Sequence, residues 1–270
     1  MAQKTFATIL IGDSHYAAIA SAAQETLAFD PKHRSCDLIF FDAWKHGLRY
    51  PFTLEEGGQT LLNPDMTQSI RTIAHNYDAV EIVAVLGGGH HLALTLLDND
   101  HPMDIILPQQ QELPLRDDAM LVTVDLAKSI FLQLIEAPFK VLEHLKAEFP
   151  KVPIAQIECP PPNGDNAFVR KHLGNYFEAN YSPKQLDAIS SPTQRYKFWI
   201  LQSEMYSEKC NALGIDYVRV PEAGVTAEGF LKPAHFGADS THANSVYGRL
   251  ILDMLETRIG RKFTAWNSFG

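Results

Sequence analysis

The sequence holds little cysteine, no excess of basic residues and no long apolar run, and each shortage removes a class of function. Its three cysteines, Cys36, Cys159 and Cys210, are odd in number, widely spaced and form no C-x-x-C pair. This argues against a disulfide framework or a structural zinc site and fits a reducing compartment. Lysine and arginine number 23 against 32 aspartates and glutamates, and no basic stripe interrupts the resulting net charge of −9. A nucleic-acid partner is therefore not expected, and the acidity itself speaks to solubility more than to substrate. No apolar segment approaches the roughly 20 residues that cross a bilayer, so no membrane partner is expected either. Near the start, Lys4, a short apolar run and an alanine-rich stretch imitate a signal peptide. Asp13 and His15 interrupt that pattern before Ala18-Ile19-Ala20, whereas a signal core needs about seven or more uninterrupted apolar residues. The expectation is a cytoplasmic protein.

What is present is an ordinary globular balance, 46% hydrophobic and 20% charged over 270 residues, enough for a sizeable core. Phe6 to Ile11 is nearly all apolar and too short for a helix, so it predicts a buried strand, followed by an alanine-rich helix from Tyr16. Further strands are predicted at 37–41, 79–86, 152–157 and 216–220, the last of them the final strand. Helices are predicted from Asn63-Pro64-Asp65 to about His75, over 119–148, 167–180, 192–213 and 243–258. Pro138 predicts a kink or break in the helix over 119–148. Alternating strands and helices imply a parallel sheet covered on both faces. With no repeat, low-complexity tract or linker, a single domain over 1–270 is expected, with an insertion at about 98–150. The irregular part of that insertion, 98–118, has the length of a functional or mobile segment. The helix after it either packs on the sheet or serves as a lid or as the interface of a homo-oligomer.

Two short motifs carry the chemistry. Ile11-Gly12-Asp13-Ser14-His15 places Ser14 at a strand-to-helix turn, on the edge of an open sheet where ligands bind. The helix start there favours negative charge, so Ser14 reads either as a nucleophile or as a plain N-cap. A nucleophile needs a base, and Asp239-Ser240-Thr241-His242 supplies a candidate just before the last helix. In a tight turn that spacing sets carboxylate beside imidazole, so Asp239 orients His242; otherwise the pair is a cap with an incidental histidine. The nearby helix start disfavours imidazolium, which predicts a neutral ring and activity lost below roughly pH 6.

Together, Gly12-Asp13-Ser14 and Asp239-x-x-His242 resemble the SGNH (GDSL-type) hydrolase family. The resemblance implies a three-layer α/β/α sandwich with a central parallel sheet, flavodoxin-like. It also implies a serine hydrolase acting through an acyl-enzyme, with Ser14 as nucleophile, His242 as base and Asp239 as orienter. No cofactor or metal is implied, and the partner is a small-molecule ester, such as a small acyl group on a sugar or other small alcohol. Members of that family place a glycine donor in the loop after the second strand, where Gly47 is the nearest match; a lone loop glycine is also simply a turn residue. Trp44 and Tyr50 of the same loop read as pocket walls or as surface packing.

The chain departs from the family pattern after the third strand. A Gly-x-Asn motif, whose asparagine donates to the oxyanion, is replaced by Gly87-Gly88-Gly89-His90-His91. Aligned on Gly87, the asparagine position falls on Gly89, the preferred register; aligned on Gly88, it falls on His90. The oxyanion hole would then rely on backbone N–H groups, a neighbouring histidine or water, and one lost donor costs about 100- to 1000-fold in turnover. His90 also reads as a rim residue, and the His90-His91 pair lacks ligands at metal spacing. His15 stands where the family has leucine, as a buried spacer or a pocket residue. The missing asparagine keeps a non-hydrolytic binding protein or an acyltransferase open as alternatives.

Overall fold

The computed structural model describes residues 4–32, 34–41, 52–57, 59–98 and 101–269. The strands are β1 (Phe6–Gly12), β2 (Ala28–Phe29), β3 (Cys36–Phe41), β4 (Thr53–Glu56), β5 (Gln59–Leu62), β6 (Ala79–Val85), β7 (Met103–Asp104), β8 (Met120–Leu121), β9 (Ile154–Ile157), β10 (Asp216–Val218) and β11 (Ala265–Phe269). The helices are α1 (Ala17–Thr26), α2 (Pro64–Asn76), α3 (His90–Thr95), α4 (Val124–Glu148), α5 (Asn166–Lys171), α6 (Asn175–Asn180), α7 (Pro183–Leu186), α8 (Pro192–Leu213) and α9 (Ser245–Ile259). Seven strands form one sheet in the order β10-β9-β6-β1-β3-β11-β2, and every pairing in it is parallel. Counting only β1, β3, β6, β9 and β10, this is the 2-1-3-4-5 order of a flavodoxin-like sheet. The order reverses between β1 and β6, and the crevice at that switch point is where such sheets bind ligands.

Alternation along the central strands sorts side chains to two faces. Ile9 and Ile11 of β1, Ile39 of β3 and Ile82 of β6 join Met66 and Ile70 of α2, Phe131 and Leu142 of α4, and Phe198 and Leu201 of α8. Leu10, Leu38, Phe40 and Val83 point the other way, onto Ile19 and Ala22 of α1 and Ile251 and Leu252 of α9. The result is a three-layer α/β/α sandwich. The helix over 124–148 packs on the sheet with Ala127, Phe131, Ile135, Leu142 and Leu145 buried. It starts at Thr123, whose side chain accepts from the Leu126 amide, and it runs unbroken through Pro138. Within the described residues 101–118 the chain is pinned rather than loose: the buried Asp104 carboxylate accepts from Lys197 Nζ at 2.8 Å and from the Arg116 amide at 2.9 Å.

Three predicted elements differ. The final strand is β11, not 216–220; it is short, follows α9 directly and pairs with β3. The helix over 167–180 is split into α5 and α6 at Gly174, which takes the left-handed φ of +87°. The segment after Gly89 is the short helix α3, where the sequence offered a broken motif and no element.

One close approach fixes the two helices that flank the serine. Gly248 of α9 lies so near the Ala18 carbonyl of α1 that a Cβ there would overlap it. Alanine is better than glycine inside a helix by about 0.8–1 kcal/mol. Overpacking against a backbone atom costs about 1–3 kcal/mol and forces the helices apart. The clash wins, so Gly248→Ala is expected to lower unfolding free energy in urea by about 1–2 kcal/mol. Parental or higher stability would contradict the contact.

Candidate active site

The first motif folds as it does because of Asp13. This residue is extended, its N–H donates to the Val85 carbonyl at 3.1 Å, and it caps the 3-10 turn Ser14–Tyr16 by accepting from the His15 amide at 3.3 Å. Asp13 rather than Ser14 is thus the cap, so the exposed Ser14 hydroxyl is not spent on capping. The other Asp13 oxygen accepts from the Gly87 amide at 2.5 Å and the Gly88 amide at 3.4 Å, tying the turn after β6 to the serine turn.

The second motif sits on a loop that closes on itself before α9. Phe236 bridges Ala243, the Gly237 amide donates to the His242 carbonyl at 2.8 Å, and Asn244 caps α9 while its side chain holds the Ala234 and Phe236 carbonyls. Within the loop, Asp239 Oδ1 accepts from the Thr241 amide, the Thr241 hydroxyl and the His242 amide at 2.8, 2.9 and 2.9 Å. Asp239 Oδ2 is left for the ring, 2.8 Å from His242 Nδ1. His242 Nε2 lies 2.7 Å from Ser14 Oγ, across 228 residues of chain. A proton on Nδ1, facing the carboxylate, leaves Nε2 as an acceptor for the serine hydroxyl. The Gly174 backbone that divides α5 from α6 backs this loop; a Cβ on it would meet the Asp239 side chain at 3.4 Å.

The electrostatics correct one expectation. The hydrogen bond to Asp239 raises the His242 pKa above the ordinary 6.5, against burial, which lowers it. The Asp239 carboxylate therefore outweighs burial, and the ring is a stronger base than the sequence suggests. Burial would raise the Asp239 carboxyl, but hydrogen bonds from the His242 ring and the Thr241 and His242 amides together hold it well below its usual range.

The glycine turn has three separate requirements. Gly87 has φ +74°, and a Cβ on it would run into Tyr206 Oη; a Cβ on Gly88 would run into the His15 ring. Gly89 has φ −98°, and its Cβ would meet only His15 Nε2 at 3.5 Å. Gln202 of α8 grips this turn from behind, donating from Nε2 to the Gly87 carbonyl and accepting on Oε1 from the His91 amide, both at 2.8 Å. No sequence signal marks Gln202 or Asp13 for this role, because the partners are 74 to 115 residues away. His90 opens α3 with its Nδ1 buried and unpaired. Burial pushes the His91 pKa down to about 3, so that ring is neutral. Among the described residues, no group of three or more His, Cys, Asp or Glu is placed to hold a metal ion. Gly47, Trp44 and Tyr50 lie outside the described residues.

The arrangement supplies an exposed hydroxyl, a base bonded to it and a carboxylate that orients the base. No protein-family model matches the chain, and no curated protein sequence does. Among solved structures, 94% of the chain aligns with 98% of a carbohydrate acetylesterase from Sinorhizobium meliloti, at 9% identity and a TM-score of 0.38. A lipopolysaccharide acetyltransferase periplasmic domain from Salmonella ser. Paratyphi A aligns over 97% of this chain and 85% of its own length, at 12% identity and a TM-score of 0.43. Likenesses this distant leave the chemistry to rest on the chain's own geometry.

Proposed function

We propose that this chain is a serine hydrolase of the SGNH type that cleaves a small acyl ester, the acyl group being carried on a sugar or other small alcohol. The observation that carries the reading is the unbroken series of hydrogen bonds from Ser14 Oγ through His242 to Asp239. Ser14 Oγ adds to the ester carbonyl as His242 Nε2 takes its proton. The carbonyl oxygen becomes an oxyanion, for which the Ser14 and Gly89 backbone N–H groups are the proposed donors. As the tetrahedral adduct collapses, His242 returns the proton to the leaving alcohol and the acyl group stays on Ser14. Water then adds to the acyl carbonyl, His242 takes and returns a proton again, and the free acid leaves. Asp239 holds the ring in register and stabilises its transient charge.

Among the described residues no helix is long and apolar enough to cross a membrane. The three cysteines are free and buried, which supports a reducing, cytoplasmic location within this reading.

Two tests follow. With a short-chain aryl ester, Ser14→Ala and His242→Ala are each expected to lower kcat by about 10⁴-fold or more, with Asp239→Asn costing less. Parental turnover in Ser14→Ala would overturn the assignment. The second test is the pH profile of kcat/KM. Attack needs neutral His242, and its pKa is raised, so activity falls as pH drops through a value above 6.5. Asp239→Asn removes the main cause of that rise, so its acid limb is expected at lower pH even as the rate falls. An acid limb that stays in place in Asp239→Asn would contradict the coupling.

A further inference from the structure

Among the described residues, His15 is a ring beside the proposed nucleophile that this reaction leaves unused. It follows Ser14 directly, is only 6% exposed, and packs on the His242 ring with centroids 4.6 Å apart and planes tilted by 39°. Its position also explains the glycine turn. The imidazole occupies the space where a side chain on Gly88 would stand, and its Nε2 edge reaches Gly89, 3.5 Å from where a Cβ would be. The two departures from the SGNH pattern, histidine after the serine and glycine in place of asparagine, are therefore neighbours in space.

The protonation state follows from the surroundings. Burial pushes the ring down to about 4, with the His242 charge adding to that effect and the Asp13 carboxylate opposing it. At neutral pH one ring nitrogen carries the proton. Nδ1 is buried with no hydrogen-bond partner, so a proton there would strand a donor in the interior. A proton on Nε2 instead faces Gly89 at the switch point of the sheet.

The geometry points to His15 as a donor of the oxyanion hole: its Nε2–H, beside Gly89, bonds the oxygen that becomes negative when Ser14 adds to the ester carbonyl. No proton moves to or from His15 in this step. The ring stabilises developing charge by a hydrogen bond, and His242 alone carries the proton in flight. This role rests on the hydrolase reading above, and the test separates the two.

The measurement is kcat and KM on the same aryl ester, with Ser14→Ala as the reference for serine-dependent turnover. His15→Leu keeps an apolar side chain of similar size but removes the donor. It is expected to lower kcat by about 100-fold with KM changed by less than about threefold, because the charge exists only in the transition state. Adding Gly89→Asn to His15→Leu places an amide donor at the adjacent position and is expected to recover about tenfold or more. His15→Gln, whose terminal amide can reach the Nε2 position, should stay within about tenfold of the parent. Where His15→Leu fails to fold, by circular dichroism, His15→Met serves as the apolar variant with the same expectations. Parental kcat in a folded apolar variant, beside a dead Ser14→Ala, overturns the donor role and leaves the hydrolase standing. A loss that Gly89→Asn does not recover, accompanied by a shifted acid limb, overturns it too, because His15 would then only position His242. Absence of serine-dependent turnover in the parent overturns the hydrolase reading itself.

Discussion

The site depends on the packing of α9 against α1 at Gly248, where the helix backbone comes too close to the Ala18 carbonyl for any side chain. Ser14 lies one short turn before α1, and His242 lies just before the cap of α9. Whatever sets the separation of those two helices sets the separation of Ser14 and His242. The hydrogen bond between them cannot do so itself. A single hydrogen bond contributes about 0.5–1.5 kcal/mol net, and Ser14 is exposed to competing water. Burying a Leu- or Ile-sized side chain contributes about 1.5–3 kcal/mol. Ile19 on α1 and Ile251, Leu252 and Leu255 on α9 are all essentially inaccessible. The apolar layer holds the geometry, and the polar bond reports it.

The opposite half of the site is held differently, by polar groups, Gln202 buried and Asp13 half-buried. Asp13 takes the Gly87 and Gly88 amides from the front, and Gln202 takes the Gly87 carbonyl and His91 amide from behind. A buried amide left unpaired would cost about 1–3 kcal/mol, so the turn has one arrangement in which every one of these groups is satisfied. That arrangement leaves no room for a side chain at Gly87 or Gly88 and leaves Gly89 open. The proposed oxyanion hole is thus built on a backbone that is gripped on both sides.

Much of this was legible in the residues. The apolar run of β1 stopping at Gly-Asp-Ser, the alanines of α1 and the Asn63-Pro64 start of α2 each announce their element through burial, propensity or capping. The two motifs marked Ser14, Asp239 and His242, and the fold brings the three within hydrogen-bond reach. Other features were not legible because their causes are not local. β11 is a strand only because the edge of β3 is there to pair with it. Pro138 sits inside α4 because packing of the flanking turns on the sheet outweighs its local preference. Gln202 looks like any polar residue on a helix until the Gly87 carbonyl is placed opposite it. The sign of the His242 shift also required distance: burial lowers its pKa and the carboxylate raises it, and the 2.8 Å contact with Asp239 lets the carboxylate win.

The central claim is that Ser14 is a nucleophile activated by His242. A fluorophosphonate probe reacts covalently with such a serine and poorly with an unactivated one. Treating the intact protein with the probe and mapping the modified peptide by mass spectrometry therefore tests the claim without knowledge of the substrate. The account predicts one label per chain, on Ser14, at a rate that collapses in His242→Ala. A folded protein that takes no label, or takes it equally well without His242, would contradict it.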